Sequence, residues 1–149
     1  MRDIKLRFWD KENKSMVYQD NKCLYPFNIY KIICDSFTNF EFRLFILKDN
    51  NLNQFEEVDS VKMQWTGLKD INGTEIYEGD IVEYVNKGTK GIGKIVYGLY
   101  DNEHQTDLGY YIQWLNQEYW RNDLGYWKKE GIEVRGNIYE NPTLLEEER

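Results

Sequence analysis

The stretch from Met63 to Val82 constrains the fold more than any other part of the chain. In it, two apolar runs flank Asn72-Gly73, and a bend at Glu78-Gly79-Asp80 launches a third run. Positive φ is cheapest for Asn and Gly, so Asn72-Gly73 predicts a two-residue turn with positive φ at both positions and a hairpin between its flanks. After the second bend, Ile81-Val82-Glu83-Tyr84-Val85 is dense in the β-branched and aromatic side chains that fit a pleated surface, which predicts a new strand. The stretch holds no paired nucleophile and base and no metal-ligand spacing. It specifies a β-domain and leaves the activity open.

The rest of the chain reads in the same way. Ile4, Leu6 and Phe8 alternate with Lys5, Arg7 and Trp9, and a polar loop over 10–14 leads to Met16-Val17-Tyr18, which predicts a hairpin. Trp9 and Asp10 serve either as part of a ligand site or, more simply, as a packed ring and a turn-holding Asx side chain. The apolar segment from Cys23 to Asp35 is interrupted by Pro26 and reads as strand, with a helix through Ile29, Ile32 and Ile33 as the alternative. Residues 40–47 form a further aromatic-rich strand, and the polar run 48–53 marks the boundary of an N-terminal subdomain.

Beyond the central stretch, residues 86–91 predict a flexible hairpin tip and Ile92–Tyr97 a returning strand. A polar loop over 101–107 then leads to a strand over 110–115. Gly93 or Gly98 is expected to relieve the bend of a curled sheet. Residues 119–129 interleave large rings with polar groups without clear period, as in a loop over a barrel face or a binding surface. Ile132–Tyr139 closes the sheet, and Asn141-Pro142 fits the start of a short C-terminal helical turn that docks Leu144-Leu145, ahead of a fraying tail. No internal repeat or low-complexity segment is visible.

Three blocks of this sequence resemble the YopX-like proteins encoded by phages and prophages. Leu6-Arg7-Phe8-Trp9-Asp10 is similar to that family's opening signature, Met63–Val82 to its centre, and Gly136-Asn137-Ile138-Tyr139-Glu140-Asn141-Pro142 to its closing signature. Residues 19–60 and 99–130 match in general character alone. The resemblance implies a mainly β fold, a single YopX-like domain over 1–149 and a phage origin, and it carries no established activity.

Composition narrows the function classes. The formal charge of −7 repels polyanions at long range, so duplex DNA is not the default partner. Cys23 and Cys34 read as small buried hydrophobes in a reducing compartment rather than as a bridge. Export is not predicted and no run reaches the length that spans a bilayer, so a cytoplasmic location in a bacterial host and no membrane partner are expected.

His104, the single histidine, has no Cys or His at ligand spacing, so no zinc site is expected. Asp70, Glu75, Glu78 and Asp80 crowd one stretch and could serve a metal or acid–base chemistry, but turn chemistry already accounts for such positions. None of Ser15, Ser36 and Ser60 sits in a nucleophile elbow, and the glycines at 88, 91 and 93 precede no helix. No catalytic residue, cofactor or metal is assigned.

What remains is a candidate surface of rings and bases: Tyr84, Lys94, Tyr97, Tyr111, Trp114, Trp120, Tyr126, Trp127 and Lys128. The competing explanation is that most of these rings are core. Trp120 and Trp127, flanked by polar residues, are the hardest to assign to it.

The expected architecture is mainly β. It has a central SH3-like or partly open small barrel over 60–140, an N-terminal β subdomain over 1–53 and a short C-terminal helix and tail over 141–149. The expected function is a non-enzymatic phage or prophage accessory protein that binds a host or phage protein through its aromatic surface. The alternatives are a single-stranded nucleic-acid binder using the same rings with Lys94 and Lys128 and, with least support, a metal-dependent enzyme. Homo-oligomers through an edge strand are compatible with such a fold.

Overall fold

The computed structural model describes residues 4–19, 30–35, 41–49 and 54–146. The expectations for Cys23–Ile29 with Pro26, Ser36, Asn50–Asn53 and the fraying tail over 147–149 fall outside them. The chain is mainly β, built of antiparallel sheets, with a curled half-barrel sheet and a short C-terminal helix. It divides between Met63 and Gln64 into two compact units.

The N-terminal unit contains β1 (Leu6–Asp10), β2 (Ser15–Tyr18), β3 (Tyr30–Asp35), β4 (Glu41–Asp49) and β5 (Gln54–Glu57). β1 and β2 form the expected hairpin with Phe8 opposite Val17, and β4 is the central strand of the sheet β3-β4-β5. The alternation in β1 predicts one buried face, yet all five of its residues are buried, Arg7 and Trp9 included. Leu6, Phe8, Val17, Tyr30, Leu44 and Ile46 make the core. Cys34, expected to be buried, is exposed on β3, an edge strand of its sheet. β5, short and polar, has no counterpart in the sequence reading.

Asp10 fixes the first turn. It is fully buried, and its Oδ1 accepts the backbone N–H groups of Glu12 and Asn13 at 3.0 and 3.1 Å. Its Oδ2 accepts Asn13 Nδ2 and the Tyr30 hydroxyl, both at 2.8 Å. Burial pushes the carboxyl's pKa up, but the bonds from Asn13, Tyr30 and Glu12 outweigh it and hold the group below its ordinary value. The same contact, with burial, drives the Tyr30 phenol well above the usual tyrosine range.

β6 (Ser60–Lys69) runs from the first unit into the second, which adds β7 (Glu75–Tyr77), β8 (Asp80–Asn86), β9 (Thr89–Asn102), β10 (Gln105–Trp114), α1 (Leu124–Glu130), β11 (Glu133–Asn137) and α2 (Thr143–Glu146). The curled sheet has the order β10-β9-β8-β11. Its core is Ile76, Val82, Ile95, Ile112, Leu124, Trp127 and Ile132.

The β6–β7 hairpin forms, but its turn differs from expectation. Gly73 N–H donates to the Asp70 carbonyl and Asp70 N–H to the Thr74 carbonyl, which closes a three-residue loop in which only Gly73 has positive φ, at 83°. The reason is Asp70, whose buried carboxylate accepts the N–H groups of Asn72 and Thr74 on one oxygen and that of Val134, in β11, on the other. The geometry expected at Asn72-Gly73 occurs instead between β8 and β9, where Lys87 and Gly88 both have positive φ, at 50° and 82°. Asp80, also buried, accepts the Tyr77 N–H at 2.7 Å and sets the second bend.

Two larger corrections concern elements. The supposed loop over 101–107 is mostly strand, because β9 and β10 pair without a register break from Gly93↔Trp114 out to Asn102↔Gln105. The aperiodic stretch over 119–129 holds all of α1 but its last residue, and this helix buries Leu124 and Trp127 and ends on Gly131 in the left-handed region. Asn141, placed by the sequence at a helix start, directs its side-chain oxygen back to the Asn137 N–H, where a Cβ on Gly136 would collide with it.

Because the folded pKa of Asp10 lies below its unfolded value, the stability this group supplies is complete above about 3.8 and is lost as pH falls through the lower folded value. Asp10→Ala is expected to lower unfolding free energy at pH 7 by about 2–4 kcal/mol. In urea denaturation the gap to wild type should narrow at pH 3; a gap independent of pH contradicts this role.

Candidate functional site

The candidate rings come together, but as a core wall. Trp120 and Trp127 stack with centroids 4.9 Å apart, and Trp114 meets each of them edge-on at 5.0 Å. Tyr84 adds edge contacts to Trp127 at 5.0 Å and Trp120 at 5.7 Å, and Tyr126 packs edge-on against Trp127 at 5.1 Å. Strand alternation turns Tyr84 and Trp114 toward the same face as Ile95 and Ile112, and the helical period brings Trp127 down on them. Trp127 is 5% exposed, while Trp120 lies over Gly91, where a Cβ would stand 2.2 Å from the indole.

Both indole N–H groups find one acceptor. Trp114 Nε1 and Trp127 Nε1 donate to the Arg121 carbonyl at 3.0 and 2.6 Å. Buried indoles need such a partner, and this one fixes α1 against β10. The two bases do not join the rings. Lys94 lies on the opposite face of the sheet from Ile95, and Lys128 is exposed in the last turn of α1.

Arg121, which the sequence reading passed over, organises the neighbourhood. Its guanidinium pairs with both oxygens of Asp123 at 2.6 and 3.1 Å, reaches Glu103 at 2.9 Å and lies 4.4 Å from the centroid of the Tyr126 ring. The Asp123 hydrogen bond is the largest influence that raises its pKa. Next to it, Asn122 pairs with the outer edge of β10: the Ile112 N–H donates to the Asn122 carbonyl, and Asn122 Nδ2 donates to the Ile112 carbonyl. A lone bridge from Asp123 to Tyr111 extends the pairing.

Beyond that point β9 and β10 continue as an arm that turns at Glu103, and its apolar side chains are the conspicuous surface feature. The face that carries Ile95 and Ile112 in the core continues outward through Tyr97 opposite Tyr110 and Leu99 opposite Leu108. Leu99 is 69% exposed, Leu108 64% and Tyr97 51%. Tyr97 and Tyr110 meet edge-on at 5.0 Å, and on the other face Tyr100 stacks on Tyr111 at 5.5 Å. A hollow of about 370 Å³ opens beside the arm between Leu68, Tyr97, Leu108, Tyr110 and Leu124. Of the predicted surface, Tyr97 and Tyr111 belong to this arm.

The acids considered for chemistry take structural positions in the case of Asp70 and Asp80, which accept backbone N–H groups as described. Among the described residues no three His, Cys, Asp or Glu side chains converge as metal ligands. A hollow of about 430 Å³ in the N-terminal unit has the Arg43–Glu57 ion pair, Phe8 and Lys62 in its wall.

The family profile described as YopX protein matches residues 5–146. A crystal structure of protein EF1440 from Enterococcus faecalis is similar, with a TM-score of 0.52 and 28% identity across 97% of this chain and 99% of that one. Nothing among curated proteins matches. These similarities cover both units.

Ring wall and arm make opposite predictions. Trp127→Ala should cost about 3–5 kcal/mol of stability. Leu99→Ser and Leu108→Ser, at exposed positions, should stay within about 0.5 kcal/mol of wild type. Thermal unfolding followed by near-ultraviolet circular dichroism distinguishes them, and a small loss for Trp127→Ala contradicts its place in the core.

Proposed function

The chain belongs to the YopX family, and we propose that it is a non-enzymatic interaction module that binds a protein partner through the face of the β9–β10 arm. The observation that carries this reading is the exposure of Tyr97, Leu99 and Leu108 in one continuous stripe. An exposed apolar patch rimmed by polar groups is the usual mark of a protein contact. The stripe continues the packed face of the curled sheet onto the β9–β10 arm, whose strand pairing is formed before binding, so little order is lost.

The phage or prophage setting, the accessory role and action in the host cytoplasm belong to the same proposal and rest on the family resemblance. Single-strand binding requires open ring faces with cations beside them. Here Trp114, Trp120 and Trp127 are packed on one another and Lys94 faces away from them, which favours a protein partner.

The test is recovery of partners with the tagged full chain from infected or lysogenic host cells, with and without nuclease. The expected result is a partner retained after nuclease and lost when the bait carries Leu99→Ser and Leu108→Ser. Co-purified nucleic acid whose associated proteins vanish on nuclease treatment, or a partner indifferent to both substitutions, overturns the reading.

A further inference from the structure

We propose that the outer edge of β10 from Gln105 to Leu108 takes up an extended segment of the partner as an added strand, and that this segment alternates apolar residues with Lys or Arg. The inference rests on the interaction reading and specifies its chemistry.

The sheet order makes β10 an edge strand. Ile112 directs its N–H and C=O outward to Asn122. The register with β9 is unbroken, so the strand period of two directs the main-chain groups of Leu108 and Thr106 to the same outer side. Cover from Asn122 and Asp123 extends along this edge through the bridge at Tyr111. Among the described residues no strand pairs with the outer edge from Gln105 to Leu108. Natural edges are blocked by Pro, Lys and other charges, bulges or covering segments; among the described residues this part of β10 carries one charge, Asp107, and has no Pro, Lys or bulge.

The side chains then decide what fits. On one face of the edge stands Leu108; on the other stands Asp107. The Asp107 oxygens accept only neutral amides, from Asn102 Nδ2 at 2.9 Å and Gln105 Nε2 at 3.0 Å. Among the described residues no Lys, Arg or His pairs with it. A strand laid along β10 sets its alternate residues against these two faces, so apolar contacts at Leu108 and cations at Asp107 are matched by one alternating sequence. A second copy of this chain brings another acidic arm and a further net charge of −7, which opposes self-pairing.

The test is fluorescence anisotropy of the full chain with a labelled decapeptide alternating Val and Lys, against a Val–Glu alternation and a shuffled peptide of the same Val and Lys content. The Val–Lys peptide is expected to bind alone among the three and to weaken with salt. Leu108→Pro, which removes an outward N–H at a position where an edge tolerates Pro, should weaken it by about tenfold or more. Asp107→Lys should transfer the preference to the Val–Glu peptide, with unchanged thermal unfolding as the control for folding. Absence of binding, equal binding of the shuffled peptide, or a dimer in light scattering that Leu108→Pro dissolves overturns the inference, the last by making a second copy the occupant. If the peptides fail while the nuclease-resistant partner still depends on Leu99 and Leu108, the interaction reading stands and this inference alone falls.

Discussion

A single carbonyl oxygen, that of Arg121, accepts the indole N–H groups of Trp114 and Trp127 and thereby joins β10 to α1. The two bonds contribute about 1 kcal/mol each, less than the burial of the rings, so their weight is geometric. They place Asn122 and Asp123 beside the outer edge of β10, where Asn122 pairs both ways with Ile112 and Asp123 bridges Tyr111. The Arg121 side chain meanwhile ties Asp123 to Glu103 at the turn of the arm. Three consecutive residues therefore close one half of a strand edge and steady the other half without covering it.

This division separates structure from surface. The residues richest in π-surface, Trp114, Trp120 and Trp127, face one another and hold the helix down. The exposed residues that line up on one face are an ordinary tyrosine and two leucines on a hairpin arm. Rings interleaved with polar residues suggest recognition in a sequence. In this fold they are what a short helix needs to pack on a narrow sheet, with Lys128 and Lys129 placed at its solvent end.

Much of the fold was legible because its signals are local. Asx turns at Asp10 and Asp70 and the β-branched run after Gly79 depend on neighbours within a few residues, and the mainly β barrel followed from them. The arm was illegible because Asp101–Asp107 has the composition of a loop, while its strands are held by pairing across the turn rather than by an apolar period. Helix α1 was hidden because seven residues contain only two inward positions, Leu124 and Trp127. A start signal at Asp123 and a stop at Gly131 were present to be read. Gly73 shows a subtler override: the residues of a two-residue turn are there, but the hydrogen bonds collected by the Asp70 carboxylate select a longer loop.

The central claim is that β10 is closed at Ile112 and open at Leu108. Residue-resolved amide hydrogen exchange by nuclear magnetic resonance on the full chain tests it directly. Protection at Ile112 and at the inward-pointing Asp107 and Gly109, with exchange at Thr106 and Leu108 close to that of an unstructured chain, is the pattern the account predicts. Protection at Leu108 equal to that at Ile112 would mean that the edge is already occupied in the free protein, and would contradict it.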